Sequence, residues 1–153
     1  MKAIYDVKRF EPRKSIGYLM HRARSEILAA LDRELAQHTE LAPLEVTAAQ
    51  YIILNMLMEW DTDSTSHLCK EMSYDPGAMT RMVDRLEAKG LLQRRRCPND
   101  RRLVNLELTA AGREAVPKMR ACSVTVLNRF LRGFSADEVR QLESFLIRIY
   151  ENK

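Results

Sequence analysis

The stretch "YDPGAMTRMVDRLEAKGLL", residues 74–92, constrains this chain more than any other. It holds a helix with a hard start and a hard stop. Asp75 suits the N-cap, where its carboxylate accepts from a first-turn amide. Pro76 suits the first helical position, where its missing N–H leaves nothing unpaired. Gly90 suits the left-handed position that closes a helix. Between them, Met79, Met82, Val83 and Leu86 make one apolar face, and Gly77, Thr80, Arg81, Asp84 and Arg85 are left for the others. Two strands follow at once, over residues 91–96 and 103–108. In the second, Val104, Leu106 and Leu108 alternate with Asn105 and Glu107. The turn-forming trio Pro98-Asn99-Asp100 joins them.

The flanking segments read as helices. From residue 15 to 37, Ile16, Leu19, Met20, Ala23, Ile27, Leu31 and Leu35 recur at three and four, the period of a long amphipathic helix. Pro43 punctuates "HTELAPLEV". "TAAQ", residues 47–50, has the form of a capping box, so a second, mostly apolar helix runs from there to about Trp60. After the polar break "DTDST" comes a short helix through "SHLCKEM". "LTAAGREAV" opens a helix from Ala110 to about Arg132, with Val116, Met119, Val126, Leu127, Phe130 and Leu131 apolar, and Gly133 ends it. "SADE" is a second capping box. It starts a last helix bearing Val139, Leu142, Phe145, Leu146, Ile149 and Tyr150. The expected fold is therefore mainly α with a small β-hairpin: a winged helix-turn-helix with outer helices. At 153 residues it makes one domain, 1–153, with a winged helix-turn-helix lobe over about 47–108 and outer helical regions over about 15–37 and 110–150.

Five arginines, Arg94, Arg95, Arg96, Arg101 and Arg102, fall within nine positions around that hairpin turn. The net charge of +4 is mild, but residues 76–102 carry eight basic and three acidic groups, whereas residues 1–75 carry nine basic and twelve acidic ones. An excess focused on one central segment is the footprint of a nucleic-acid contact. Other classes fit poorly. The longest apolar stretch, residues 51–58, is too short to span a bilayer. The charged N-terminus lacks the apolar run of a signal peptide, so a cytoplasmic location is expected. Three cysteines, Cys69, Cys97 and Cys122, form no CxxC and suit neither a disulfide framework nor zinc. Free thiols in a reducing compartment are expected; the alternative is a redox switch, for which Cys97 is the candidate, because neighbouring arginines favour its thiolate. His21, His38 and His67 have no metal spacing, and there is no Gly-rich phosphate loop, GxSxG or HExxH. Neither enzyme activity nor a cofactor is expected. A winged helix that docks through its basic wing on a protein or on RNA is the competing class.

Three segments resemble the MarR family of bacterial transcriptional regulators, and the likeness runs from about Ser15 to Tyr150. "VTAAQYIIL" is similar to the family's LTxxQ helix start. "MTRMVDRLEAKGLLQR" is similar to its recognition helix. "PNDRRLVNLELTAAG" is similar to its wing signature, Asp-x-Arg followed by Leu-Thr-x-x-Gly. The sequence departs from the family at Gly77-Ala78, where many members place a serine, and it has no cysteine in the first helix, where peroxide-sensing members keep theirs.

The helix beginning at Pro76 would lie in the major groove, where donor and acceptor patterns distinguish the base pairs. Gly77 and Ala78 would let its N-terminus approach phosphate or base edges. Thr80 and Arg81 project from its polar face, with Arg81 placed on a base, preferably guanine, or else on phosphate. Asp84 and Arg85 read as an ion pair bracing the helix. The resemblance implies that Arg102 enters the minor groove and that Asp100 shapes the loop. Arg94, Arg95, Arg96 and Arg101 are then expected on phosphates, and Ser64, Thr65 and Ser66 at the other edge of the reader. The apolar outer helices point to a homodimer on a pseudo-palindromic operator. The resemblance also implies a small aromatic acid as effector. His21, Arg24 and Tyr51 are candidates to meet its carboxylate and ring, with a surface or ion-paired role as the alternative for His21 and Arg24.

Overall fold

The computed structural model describes residues 3–59, 63–96 and 104–152. Six helices and three short strands follow in the order α1 (Ile16–Gln37), α2 (Ala48–Glu59), β1 (Asp63–Ser64), α3 (Thr65–Met72), α4 (Pro76–Ala88), β2 (Leu92–Arg96), β3 (Val104–Leu108), α5 (Ala110–Phe130) and α6 (Ala136–Glu151). Three 3-10 turns, Val7–Arg9, Pro12–Lys14 and Ala42–Leu44, precede α1 or join it to α2. No helix of the described residues is long and apolar enough to cross a membrane.

The helix ends sit where their capping residues put them. The Thr47 hydroxyl accepts from the Gln50 amide at 3.3 Å, and the Gln50 side chain accepts from the Thr47 amide at 3.1 Å, which closes the box at the start of α2. Ser135 and Glu138 close the equivalent box at α6. Asp75 accepts from the Ala78 amide at 2.7 Å and starts α4. Gly90 takes a left-handed φ of 68° just after that helix, a conformation in which a Cβ would be strained.

Strand β3 lies centrally in an antiparallel sheet of order β1-β3-β2. Leu92 faces Leu108, Arg94 faces Leu106 and Arg96 faces Val104, while Ser64 pairs with Asn105. The two-residue strand β1 is too short to carry an alternating pattern, so sequence reading gave only the hairpin. Leu68 of α3, Met79, Val83 and Leu86 of α4, and Leu92 and Leu106 of the sheet are fully buried together. They join one continuous core that runs through Ile53 and Leu54 of α2 into Val116, Met119 and Val126 of α5. Leu31 and Leu35 carry that core onto the C-terminal half of α1.

The other half of α1 behaves differently. Ile16, Leu19 and Met20 are exposed, as are Leu127, Phe130 and Phe134 around the end of α5. Helix α6 buries no residue at all, although Leu142, Phe145, Leu146, Ile149 and Tyr150 repeat along it at helical spacing. A single chain thus completes the reader lobe and leaves its outer helices with apolar faces in solvent.

Candidate nucleic-acid interface

Helix α4 presents its polar face outward. Gly77, Thr80, Arg81, Asp84 and Arg85 are exposed and Ala78 is half-buried, while Met79, Val83 and Leu86 anchor the opposite face. The bare Cα of Gly77 leaves room for Arg81: its Nη1 lies 3.5 Å from where a Cβ on Gly77 would stand. The Thr80 hydroxyl donates back to the Pro76 carbonyl at 2.8 Å. The amide of Ala78 is already committed to the Asp75 carboxylate, and a carboxylate there opposes the capture of phosphate by the helix N-terminus expected from Gly77 and Ala78. What this end offers is side chains, chiefly Arg81.

The opposite end of α4 is tied down. Lys89 donates its ammonium to the Leu44 carbonyl at 2.6 Å and to the Glu45 carbonyl at 2.7 Å. Those carbonyls belong to the connector between α1 and α2, where Glu45 holds a left-handed φ of 48°.

The arginines of β2 divide by strand face. Side chains alternate along a strand, so Arg94 shares the inward face of buried Leu92. Its guanidinium donates to Asp84 at 2.6 Å and, through its other terminal nitrogen, to Glu87. Its backbone amide also donates to Glu87, at 3.1 Å. Burial alone would lower the Arg94 pKa, but the hydrogen bonds and charges of Asp84 and Glu87 outweigh it and hold the guanidinium above its usual value. Arg94, expected on phosphate, is thus paired in this structure with two carboxylates of α4. The expected Asp84–Arg85 pair is corrected: Asp84 turns to the strand and pairs with Arg94, because neighbours in a helix point away from each other. Arg85 is left exposed one turn beyond Arg81, a cation the sequence reading had assigned to structure. The spacing of four between Arg81 and Arg85 was the available signal.

Arg95 and Arg96 are exposed. Arg95 meets Glu107 across the ladder at 3.2 Å and keeps two-thirds of its side chain in solvent. Asp100, Arg101 and Arg102 lie outside the described residues, as does Cys97. At the start of α3 the Ser64 hydroxyl accepts from the His67 amide at 3.2 Å and lies 2.9 Å from the Ser66 hydroxyl, so Ser64 serves as the helix N-cap. Thr65 is half-buried and Ser66 exposed beside it.

The effector candidates are not brought together as a pocket. His21 and Arg24 are exposed on α1, whereas Tyr51 is buried in the core with its hydroxyl 3.5 Å from the Asn55 carbonyl oxygen. A cavity of about 390 Å³ lies at another place, between the end of α1 and the connector, lined by Leu35, Ala36, Leu41, Val46, Asp32 and Glu45 among others. No pattern in the sequence marked it. Among the described residues no group of His, Cys, Asp and Glu is arranged to hold a metal ion. Cys122 is buried, and burial, aided by the charge of Glu34, pushes its thiol pKa up, away from reactivity.

Comparison with known proteins places this geometry. The profile of the MarR family matches residues 46–104, the segment from α2 to the start of β3. Apo MarR from E. coli is 31% identical, with a TM-score of 0.71, covering 88% of this chain and 96% of that one. A cysteine-to-serine mutant of E. coli MarR, complexed with operator DNA, is 31% identical with a TM-score of 0.75 and covers 88% of this chain and 92% of its own. BpsR from Bordetella bronchiseptica, whose DNA binding is regulated by 6-hydroxynicotinic acid, shares the fold with a TM-score of 0.80 at 23% identity, over 94% of this chain and 99% of that one. With the helix-turn-helix, the hairpin and this identity over nearly the whole length, the chain belongs to the MarR family of winged-helix, DNA-binding transcriptional regulators.

Proposed function

We propose that this chain is a homodimeric repressor that reads a pseudo-palindromic operator and is released from it by a small aromatic acid or a similar ligand. The observation that carries the reading is the polar face of α4, with Arg81 and Arg85 exposed on a helix otherwise anchored in the core. Arg81 reads a base edge in the major groove, and Arg85 joins it there. Arg95, Arg96 and Arg101 hold phosphates, with hydroxyls of Ser64, Thr65 and Ser66 at the far edge. Asp100 holds the wing loop in shape while Arg102 enters the minor groove, where narrow A·T runs concentrate negative potential. The E. coli MarR mutant bound to operator DNA supports this assignment. The apolar faces of α6 and of the first half of α1 support the dimer, because single soluble chains rarely expose such contiguous surface.

Release follows if the ligand prefers a conformation whose reading helices no longer match the half-sites. BpsR and 6-hydroxynicotinic acid supply the chemical precedent. His21 and Arg24, exposed on α1, are the candidate carboxylate partners, and Tyr51 lines the site only if the core opens around it.

Selection of bound duplexes from a random pool, with and without a panel of aromatic acids, tests the reading. A pseudo-palindrome whose half-sites lie about one helical turn apart is expected. Arg102→Ala should weaken operator binding strongly while fold and dimer persist. Equal binding to every duplex would remove the specific-repressor reading, and unchanged operator affinity in Arg102→Ala would remove the wing from it.

A further inference from the structure

Among the described residues strand β2 is an edge of the sheet, bonded to β3 alone. A hairpin extended only by a two-residue third strand is marginal by itself, and its twist relative to a neighbouring helix is soft. Besides the apolar packing of Leu92 and Leu106, a polar device ties it to α4. Glu87 of α4 accepts from both the backbone amide and the guanidinium of Arg94, and Asp84, one turn earlier, accepts from the same guanidinium at 2.6 Å. The planar fork of arginine meets two carboxylates at once, which a lysine ammonium does with far less geometric definition. The same contact offsets one of two negative charges on a helix that must approach a polyanion.

From this we infer that Arg94 is a positioning residue for DNA recognition: an internal counter-ion that fixes the wing at a set angle to the reading helix, so that major-groove and minor-groove contacts form together. The inference rests on the proposed operator reading. It replaces the phosphate role that the arginine cluster suggests for this residue.

The two roles separate experimentally. The full-length protein and its Arg94→Gln and Arg94→Lys variants are titrated with the selected operator at several salt concentrations. Each is also put through a second round of selection, and thermal unfolding serves as the fold control. As a positioning residue, Arg94→Gln lowers operator affinity by about tenfold or more. The slope of log affinity against log salt stays that of the wild type, and base preference disappears at the flanks beneath the wing while the inner half-site preference survives. Arg94→Lys, which keeps both fold and charge, loses the flank preference as well. In a background carrying Asp84→Asn and Glu87→Gln, the further change Arg94→Gln costs little, since its partners are already gone.

A phosphate contact gives the opposite set of results. The slope falls by about one per protomer, base preferences stay intact at every position, Arg94→Lys behaves as wild type, and the loss is the same with or without the two acids. That set overturns the inference and leaves the operator reading standing. A wild-type protein with no duplex preference overturns both.

Discussion

Replacing Gly112 with alanine tests how the reading helix is joined to the rest of the molecule. Gly112 lies in the first turn of α5, and a Cβ placed on it would stand 2.0 Å from the Leu91 carbonyl oxygen and 3.3 Å from Leu108 Cδ2. An ordinary C···O contact is roughly 3.3 Å or more, so the backbones would have to part by about 1.3 Å. Leu91 cannot yield easily, because it is fully buried. Three hydrogen bonds meet at this point: Thr109 donates its amide to Leu91 at 3.2 Å and its hydroxyl to Gly90 at 2.6 Å, and it accepts the Gly112 amide at 3.1 Å. Overpacking costs about 1–3 kcal/mol, a lost N-cap about 1 and a lost tertiary hydrogen bond about 1, against about 1 kcal/mol gained from the helix propensity of alanine. The net expectation is a destabilisation of roughly 2–4 kcal/mol. Urea unfolding at fixed protomer concentration measures it, so that any contribution from association is held constant. Gly17→Ala is the matched control: nothing lies within 4 Å of its hypothetical Cβ in the first turn of α1, so it should be neutral or slightly stabilising. If Gly112→Ala proves as harmless as Gly17→Ala, the close approach of α5 to Leu91 is not what this glycine serves.

The other predictions concern the outer helices and the connector. Leu146→Glu, or truncation after Gly133, should give monomers by sedimentation, and a well-folded dimer from either would remove α6 from the interface. Lys89→Met should cost roughly 1–3 kcal/mol by denaturation, because the carbonyls of Leu44 and Glu45 lose a charged donor; no change in the midpoint would mean water replaces it fully. The Ser135 amide and hydroxyl hold the Glu138 carboxyl below the usual carboxylate range. A depressed pKa contributes stability above the unfolded value that is lost as pH falls through the folded one. Acid fraying of the α6 start should therefore follow Glu138 and vanish in Glu138→Gln, as read by amide chemical shifts along the first turn.

Local chemistry was legible where it was self-contained. Asp75, Thr47 with Gln50, and Ser135 with Glu138 act within four residues, so their types and spacing were enough to place three helix starts. The pairing of Arg94 with α4 is legible only in the two-residue alternation from Leu92, which turns its side chain inward, whereas the run of like charges alone suggests one exposed surface. The Lys89 contact joins residues more than forty positions apart, and no local pattern encodes it. Tyr51 was chosen for its chemistry, while its place amid an almost wholly apolar helix argued for the core it occupies.

These contacts have a shared geometric consequence. The reading helix is held on its flank by Arg94 to the wing strand and at its C-terminal end by Lys89 to the α1–α2 connector. Just past that end, Thr109 binds the carbonyls of Gly90 and Leu91. Its N-terminal end is joined to α3 through the Tyr74 amide, which donates to the Cys69 carbonyl at 3.0 Å just before Asp75. A helix held at both ends and along one side presents its polar face in a defined direction. In the proposed dimer that direction sets the distance between two reading helices, so small shifts at the connector alter which half-site spacing both can reach. The cavity of about 390 Å³ shares Glu45 with the Lys89 contact. Lys89→Met should therefore broaden the range of half-site spacings that the protein accepts in duplex selection, beyond any effect on its stability; an unchanged range would mean the connector does not set the aim of the helix.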